Sequence, residues 1–418
     1  MSPLNRLKLI QVGQISRAEV QFGDLTVLVG PQATGKSIFL QFLKLALDTG
    51  YVHDQLHKHG IEWERSVPAF LDVYLGEGMR GVWREGAEGS AVEVDGQPVD
   101  LAKWVAPRRR ASKATAFYIP AQRVLSLANG WPRPFQSFAS EDPFAVRDFS
   151  ETFRLLMEQE FTRAAALFPK TNRLKREYRE LLNRHVFGGF GLHVDRHGAQ
   201  KRLVLRREEG AAAIPFMAWS AGQREFVPLL MGLYWLMPSA KVKRRSDLSW
   251  VIIEEPEMGL HPNAISAVVL LVLELLWRGY RVCLSTHSPH VLDVVWAIRT
   301  IQQHRADSGR LLEVFEVRKT GPMKEVADTA IKKEAKVYYF DRSGEARDIS
   351  NLDPGSNDRL EAGWGGLSEF SGRVNEIVAK VVNQRLGPPG EEKVEPAHSQ
   401  PVHPGEVAAE AQLPNLGA

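Results

Sequence analysis

The strongest evidence for the fold is a glycine-rich octapeptide near the start of the chain. It consists of Gly30, Pro31, Gln32, Ala33, Thr34, Gly35, Lys36 and Ser37. An apolar run, residues 25–29, precedes it, and apolar residues follow at helical spacing from residue 36 to about residue 47. Glycines let backbone N–H groups surround an anion, and the start of a helix adds unpaired N–H groups. The pattern G-x-x-x-x-G-K-[ST] in this context predicts a P-loop in an α/β fold.

The same octapeptide predicts a ligand. The ammonium of Lys36 is placed to reach the β- and γ-phosphates of a nucleotide, and the Ser37 hydroxyl is a suitable oxygen ligand for Mg²⁺. We therefore expect residues 30–37 to bind ATP together with Mg²⁺. A chance match in a loop is the alternative, but a buried strand before the motif and a helix after it are the context that the motif requires.

A second apolar run ends in acidic residues. Residues 251–253 are Val, Ile and Ile, and they are followed by Glu254, Glu255, Pro256 and Glu257. In a P-loop enzyme, one carboxylate at such a strand end orients the metal, and its neighbour can act as general base toward water. We expect Glu254 to help bind Mg²⁺ and Glu255 to be the base. A strand that ends in a solvated acidic turn is the alternative.

Composition limits the remaining possibilities. The chain has 418 residues, enough for one large domain with insertions or for two domains. Its single cysteine, Cys283, excludes an internal disulfide and a cysteine zinc cluster, and favours a reducing cytoplasm. The most apolar stretch, residues 264–277, is too short to span a bilayer. A net charge of +3 is compatible with nucleic acid without requiring it. We expect a cytoplasmic protein that has no membrane segment.

Strand and helix patterns alternate through the middle of the chain, which predicts a mostly parallel sheet. Residues 1–386 are expected to form one ATPase domain, with a short antiparallel helical insertion at about 143–190 that breaks at Pro169. A hairpin is expected at 192–206. The C-terminal extension, at about 300–386, is expected to contain strands at 311–317 and 336–340 and a helix at 368–386. Residues 387–418 are rich in Pro, Glu, Ala and Gly, and are expected to be a disordered tail.

The acidic strand end and the residues after it resemble a known family. The segment from Glu254 to Pro262 is similar to the extended Walker B motif and D-loop of ABC-type ATPases, in the branch that includes SMC-like and OLD (overcoming lysogenization defect) proteins. The resemblance implies that Glu255 is the general base and that residues 259–262 are the D-loop. Glu254 departs from the family, which usually has Asp there, so its carboxylate lies at a different distance from the metal.

Two further motifs occur in the order that this resemblance requires. Ser220, Ala221, Gly222 and Gln223 resemble the ABC signature Ser-Gly-Gly-Gln, and the plain alternative is a helix capped by Ser220. In the family, the signature contacts the γ-phosphate of ATP held by the other subunit. The resemblance thus implies a homo-oligomer that sandwiches ATP, with Ser220, Gly222 and Gln223 in the interface. Thr286 and His287 resemble the H-loop, which implies that His287 contacts the γ-phosphate; a structural histidine is the alternative.

A weaker motif lies between the P-loop and the signature. Residues 118–123 resemble a Q-loop, in which Gln122 would complete the Mg²⁺ shell. OLD-like ATPases carry a similar strand-Pro-x-x-Arg element, which makes Arg123 a second candidate. A turn after a strand is the alternative interpretation.

Together the motifs resemble the head of an ABC-type ATPase, with a mixed β-sheet lobe and a short helical insertion. No paired Asp-x-Asp with an upstream Glu follows His287, so the resemblance is to an OLD-like ATPase without a TOPRIM nuclease. Residues 337–341 and 364–370 look like the end of compact ATPases from bacterial anti-phage systems of the PARIS type or similar. This resemblance implies an ATP hydrolase that couples nucleotide state to oligomerisation and to control of a separately encoded effector, expected to be a nuclease.

Other functions stay open. An SMC-like DNA repair ATPase fits the same motifs, although the insertion is too short for long arms. A transporter subunit fits less well, and a scaffold that binds ATP with little turnover fits the unusual Glu254. Two basic stretches are candidate nucleic-acid contacts or solvated loops: Arg108, Arg109 and Arg110 with Lys113, and residues 241–245.

Overall fold

A computed structural model describes residues 4–86, 88–106, 112–161, 166–197, 200–207, 211–238, 243–367 and 369–386. The predicted tail at 387–418, the basic residues Arg108, Arg109 and Arg110, and Lys241 lie outside the described residues. By its internal contacts the chain divides into one unit that ends at Glu369 and a second that begins at Phe370.

The strands, in chain order, are β1 (Arg6–Val12), β2 (Ile15–Gln21), β3 (Leu25–Val29), β4 (Ala91–Val94), β5 (Gln97–Val99), β6 (Ala116–Ile119), β7 (Leu127–Ala128), β8 (Trp131–Pro132), β9 (Ala166–Phe168), β10 (Gly191–His197), β11 (Gln200–Arg206), β12 (Ile214–Pro215), β13 (Trp250–Glu254), β14 (Arg281–Ser285), β15 (Ala335–Phe340) and β16 (Ala346–Asp348).

The α-helices are α1 (Lys36–Lys58), α2 (Val67–Leu75), α3 (Leu101–Val105), α4 (Phe144–Gln159), α5 (Arg176–Leu182), α6 (Ala221–Leu236), α7 (Pro262–Trp277), α8 (Pro289–Gln303), α9 (Gly309–Val314), α10 (Gly321–Ala330), α11 (Arg359–Ala362) and α12 (Glu369–Leu386). None of the helices in the described ranges is both long enough and apolar enough to cross a bilayer.

The central sheet has the strand order β16-β15-β3-β14-β13-β6, and its pairs are parallel except for β15 with β16. All five residues of β3 and of β13 are buried, as expected for strands that are covered on both faces. Alternate residues face two cores. Val27 and Val251 lie in a core with residues of α6, α7 and α8, whereas Leu28 and Ile252 lie in a core with residues of α1.

Two antiparallel sheets accompany the central one, in the orders β2-β1-β4-β5 and β12-β11-β10-β9. The predicted hairpin at 192–206 is β10 and β11, paired from Gly191 with Arg206 to His197 with Gln200. The predicted α/β P-loop fold with a mixed-sheet lobe is confirmed.

The predicted helical insertion at about 143–190 is wrong in part. It contains the helices α4 and α5, but the strand β9 lies between them and pairs with β10. The reason is burial: Leu167 and Phe168 of β9 are fully buried in the core, and a strand places them there against the hairpin. The insertion is therefore mixed, and it extends a sheet.

The predicted strand at 311–317 is also wrong, because residues 309–314 form helix α9. Leu311, Leu312 and Phe315 are buried, and their spacing places them on one face of a helix. Arg310 donates to the Glu313 carboxylate over 2.9 Å, a pair that helical spacing brings together. The expected strand at 336–340 and the helix near 368–386 are confirmed as β15 and α12.

Helix α1 begins at Lys36 as predicted but continues past residue 47 to Lys58, across a kink at Asp48. The Asp48 carboxylate is buried and accepts hydrogen bonds from Lys44 Nζ and the backbone N–H groups of Thr115 and Ala116. The bonds from Thr115 and Ala116 join distant segments and leave no local pattern, which explains why the sequence analysis ended the helix too early.

Candidate nucleotide-binding site

Four neighbouring parallel strands end at one edge of the central sheet. Strand β3 leads into residues 30–37, β14 into Thr286 and His287, β13 into Glu255, and β6 into residues 120–123. The ends of three of these strands are level with one another, because Leu28 pairs with Ser285 and Ser285 pairs with Glu254. Motifs separated by more than two hundred residues in sequence therefore meet, in the crevice where open α/β sheets bind ligands.

The backbone of the P-loop turns through left-handed conformations. The φ angles are 136° at Gly30, 60° at Ala33 and 92° at Gly35. A Cβ on Gly30 would lie 2.1 Å from the Phe340 carbonyl oxygen, and one on Gly35 would lie 2.5 Å from Ile15 Cγ1. Glycine is therefore required at both positions by neighbours from distant strands as well as by the local turn.

Lys36 is held inside the loop. Its Nζ donates to the carbonyl oxygens of Gly30 over 2.8 Å and of Pro31 over 2.6 Å. Burial lowers the pKa of Lys36 to about 8, against the opposing charges of Glu255 and Glu257. The ammonium is still mostly protonated at neutral pH, and charged phosphate oxygens are stronger partners for it than carbonyl oxygens.

Glu254 has the features of a metal-binding carboxylate. It is buried, and its Oε2 accepts a hydrogen bond from the Ala121 N–H over 2.9 Å. Its Oε1 is buried and makes no hydrogen bond of normal geometry, although the hydroxyls of Tyr118 and Ser37 lie nearby. Burial raises the pKa of Glu254, and a cation beside the carboxylate would favour its ionised form.

The pair Ser37 and Glu254 fits Mg²⁺. The Ser37 side chain is exposed at the start of α1, and the orphaned Oε1 of Glu254 lacks a partner that a cation would supply. Across the parts of the chain that the structure describes, no three His, Cys, Asp or Glu side chains converge to form an all-protein metal cage. Mg²⁺ commonly binds through few protein oxygens, with nucleotide phosphates and water as its other ligands.

Glu255 and His287 face each other: His287 Nε2 lies 3.2 Å from Glu255 Oε1. The His287 contact lowers the pKa of Glu255, with help from the charges of Lys36 and Arg123 and against burial. The carboxylate is therefore ionised at neutral pH and able to accept a proton. Glu255 also has a φ of 41°, a strained conformation for a residue with a side chain.

Glu257 was not singled out for a role by the sequence, yet it orders the switch segment. Its Oε1 accepts hydrogen bonds from Thr286 Oγ1 over 2.7 Å and from the His287 N–H over 2.6 Å. Glu257 therefore sets the position of His287. The one indication in the sequence was a third carboxylate, directly after Pro256.

One cavity of about 260 Å³ brings most of the predicted residues together. Its lining is Gln14, Gln32, Ala33, Thr34, Gly35, Lys36, Ser37, Ile38, Glu255 and His287. Gln14, from the turn between β1 and β2, is a polar lining residue that the sequence analysis did not predict. Nothing in its local sequence distinguishes it from any other polar turn residue.

Gln122 and Arg123, although adjacent in sequence, have different environments in the structure. Gln122 is exposed and does not line the cavity, so its predicted part in the metal shell has no structural support. Arg123 has no exposed surface and donates to the carbonyl oxygens of Glu254 and Glu255, over 3.1 and 3.2 Å. Of the two candidates in the weak motif, Arg123 is the one that belongs to the site.

The signature residues lie elsewhere. Ser220 and Gln223 form a capping box at the start of α6, in which each side chain bonds the other's backbone N–H. A Cβ on Gly222 would lie 2.8 Å from the Gly259 carbonyl oxygen, so the start of α6 packs directly on the predicted D-loop. Ser220, Gly222 and Gln223 do not line the cavity, and Ser220 is exposed.

The described basic residues have partners within the chain. Lys113 pairs with Asp247 over 3.1 Å, and Arg244 donates to the Gly279 carbonyl oxygen over 2.7 Å. The Arg245 guanidinium lies 3.5 Å from the centre of the Trp235 ring. These contacts favour a structural role for the second basic stretch.

Comparison with known proteins supports an ABC-like P-loop ATPase. Residues 122–293, somewhat less than half of the chain, match the family described as "AAA domain, putative AbiEii toxin, Type IV TA system". The Old nuclease of Escherichia phage P2 is 38% identical over 61 residues, which are 15% of this chain and 10% of the phage protein. The chain thus matches about a tenth of the length of that relative.

Solved structures of two kinds are similar at low identity. An SMC head bound to the C-terminal winged-helix domain of ScpA is 10% identical, covers 82% of this chain and 96% of its own, and has a TM-score of 0.37. A dimeric bacterial ABC transporter cassette is 12% identical, covers 82% of this chain and 97% of its own, and has a TM-score of 0.34.

Proposed function

We propose that this protein is a Mg²⁺-dependent ATP hydrolase of the ABC type. One observation carries the proposal: Lys36, Ser37, Glu255 and His287 line the same cavity. A cation for phosphates, a hydroxyl for a metal, an ionised carboxylate and an imidazole are the groups that nucleotide hydrolysis requires. The neighbouring Glu254 adds a buried carboxylate oxygen without a partner.

Each side chain has a distinct task in this proposal. The N–H groups of residues 32–37 and the Lys36 ammonium bind and orient the phosphates of ATP. Ser37 and Glu254 would hold Mg²⁺, which when bound offsets phosphate charge. Glu255 accepts the proton of the attacking water, and His287, 3.2 Å away, orients that carboxylate and is placed to contact the terminal phosphate.

The second part of the proposal is a homo-oligomer that sandwiches ATP. The signature residues Ser220, Gly222 and Gln223 do not line the cavity of their own chain, and Ser220 is exposed. A second protomer would therefore supply them to the γ-phosphate. The helix N-terminus at Ser220 suits that task because its N–H groups favour an anion.

The biological proposal is control of a separately encoded effector, expected to be a nuclease, in anti-phage defence in the cytoplasm. Its support is the sequence resemblance to compact defence ATPases and the similarity to the phage P2 Old nuclease over 61 residues. Co-purification of this protein with an effector encoded by a neighbouring gene would support this proposal.

Purified protein with Mg²⁺ and ATP tests the activity. Hydrolysis is expected in the wild type, and Glu255→Gln is expected to bind ATP and fail to turn it over. A wild type that binds ATP tightly but releases no phosphate would instead favour a nucleotide-stabilised scaffold. That second function has one specific observation behind it: Glu254 replaces the usual Asp, and one of its oxygens is already held by Ala121.

A further inference from the structure

Arg123 is a charged side chain with no exposed surface. Its guanidinium donates Nε–H to the Glu225 carbonyl oxygen over 3.1 Å, and Nη1–H to the carbonyl oxygens of Pro120 over 3.4 Å and Glu254 over 3.1 Å. Both Nη1 and Nη2 donate to the Glu255 carbonyl oxygen over 3.2 Å. Four backbone carbonyls from three separate segments are thus joined by one side chain.

A buried cation of this kind is costly and needs a reason. Removing a charged group from water is unfavourable unless hydrogen-bond partners or opposite charges offset the loss of hydration. The Glu225 carboxylate lies 3.8 Å from Arg123 Nε, and its own Oε2 has no hydrogen bond. Its hydrogen-bond partners are carbonyl oxygens at the end of β6, at the end of β13 and near the start of α6, so what Arg123 stabilises is the relative position of these three segments.

The contact with Glu255 offers a reason. Glu255 has a φ of 41°, so its backbone is strained and must be held from both sides. Its N–H donates to the Ser285 carbonyl oxygen over 3.0 Å. Its carbonyl oxygen accepts from Arg123 and from the Met258 N–H over 3.1 Å. Arg123 therefore fixes the peptide that aims the Glu255 side chain into the cavity.

The contact with Glu225 extends the link to α6. Glu225 is in the first turns of that helix, close to the cap at Ser220. The same helix start packs on the turn after Glu255, because a Cβ on Gly222 would lie 2.8 Å from the Gly259 carbonyl oxygen. A displacement of the start of α6 therefore moves the carbonyl that Arg123 holds, and with it the Glu255 peptide.

We propose that Arg123 is a positioning residue that couples the start of α6 to Glu255, so that engagement of Ser220 by a partner-held nucleotide sets the aim of the catalytic carboxylate. This regulation rests on the proposed ATP hydrolase. Arginine suits the role because its planar fork spans several carbonyls at once, whereas a lysine ammonium is a single point of donation. Arg123→Lys keeps the charge and removes the fork.

The matched control is Arg173, which is also buried and bonds the other end of α6. Its Nη1 donates to the carbonyl oxygens of Tyr234 over 2.8 Å and Met237 over 3.1 Å, and it pairs with Glu160. Within the described residues, no hydrogen bond or ion pair joins Arg173 to residues 254–257. Arg123→Lys and Arg173→Lys thus disturb the same helix through the same kind of bond, at opposite ends.

The first measurement is steady-state hydrolysis with ATP affinity. We expect Arg123→Lys to lower kcat about 100-fold, because a misplacement of about 1 Å costs that much, with ATP Kd changed less than about threefold. Arg173→Lys should retain kcat. Arg123→Lys combined with Glu255→Gln should be no slower than Glu255→Gln alone, because Arg123 acts through Glu255. Equal losses in the two lysine variants, or additive losses in the double mutant, would overturn the proposal.

The second measurement does not depend on hydrolysis. Hydrogen exchange at the Met258 amide, which donates to the Glu255 carbonyl oxygen, should be at least about tenfold faster in Arg123→Lys than in Arg173→Lys. If the wild type does not hydrolyse ATP, the proposed ATPase activity is wrong. The exchange rate of the Met258 amide would still test whether Arg123 positions the Glu255 peptide. If Arg123→Lys does not fold, wild-type exchange at Met258 with and without ATP is compared with Ser220→Arg. Identical ATP-dependent changes in those two proteins would contradict the coupling.

Discussion

The cavity at the end of β3 and the start of α6 are both built from predicted nucleotide motifs, but they differ in how their polar groups are satisfied. At the cavity, backbone is strained at Ala33 and Glu255, and next to it a buried oxygen of the Glu254 carboxylate makes no hydrogen bond. At the start of α6, Ser220 and Gln223 satisfy each other in a capping box. Strained backbone thus occurs at the cavity, whereas the cap of α6 is satisfied by the two side chains of its own capping box.

This difference teaches how binding energy divides between the two regions. Strained backbone and orphaned polar atoms persist where the surrounding structure forces them, and they cluster at functional sites. Residues of the cavity should therefore control nucleotide affinity within one chain. Ser220 should affect only the assembly of chains and the hydrolysis that depends on assembly. The following predictions test that division, from the largest expected effect to the smallest.

The largest effect is expected for Lys36→Ala, on ATP affinity. The ammonium makes charge-assisted bonds to phosphates that are each worth about 1.5–3 kcal/mol, so two such bonds correspond to a loss of about 100-fold or more. Isothermal titration measures it. Lys58→Ala is the control, because Lys58 is an exposed lysine on the same helix. Unchanged ATP affinity in Lys36→Ala would show that the cavity does not bind the nucleotide.

The second effect is expected for Glu255→Gln, on turnover. Loss of a general base slows hydrolysis by about 100-fold or more, while ATP affinity is retained. A single-turnover assay measures the rate. The comparison variant is Glu254→Gln, which should instead raise the Mg²⁺ concentration needed for activity. If Glu254→Gln abolishes turnover at saturating Mg²⁺ and Glu255→Gln does not, the two carboxylates have exchanged roles.

The third effect is expected for Ser220→Arg, on assembly. The substitution should leave ATP affinity of the single chain unchanged and lower hydrolysis at least about tenfold, because one lost bond to the γ-phosphate is worth about 1.5–3 kcal/mol at each shared site. Light scattering with and without ATP reports the interface. Ser66→Arg is the control, since Ser66 caps α2 with a bond to Ala69 N–H. Turnover by a strict wild-type monomer would place the signature outside the active site.

The smallest effect is a pH dependence of ATP affinity. Burial lowers the pKa of Lys36 to about 8, so the free protein loses that positive charge as pH rises through about 8. Bound phosphates favour the charged form, and affinity should therefore fall above that pH by up to about tenfold per unit. Titrations between about pH 7 and pH 9 measure the slope. Lys36→Ala should show a flatter profile, and equal slopes would assign the titration to another group.

Local patterns predicted the elements that matter for the cavity. Strands β3 and β13, the P-loop and the start of helix α1 follow from apolar runs, helical spacing and glycines that act over a few residues. Helix α9 was mistaken for a strand because Leu311 to Val317 is apolar at both spacings, and only packing decides between them. Strand β9 was missed since three residues form a strand only when β10 is there to pair with.

The amino-acid sequence alone determined the P-loop, its order relative to the acidic strand end, and the candidate roles of Lys36, Ser37 and Glu255. These depend on short-range geometry: a turn that needs glycine, and a helix start that favours anions. Tertiary structure alone decided that Arg123 rather than Gln122 is buried against Glu255, and that Glu257 orders His287. Those contacts join segments far apart in the chain, and a polar side chain that pairs with a distant backbone group adds nothing to the apolar periodicity from which elements are predicted.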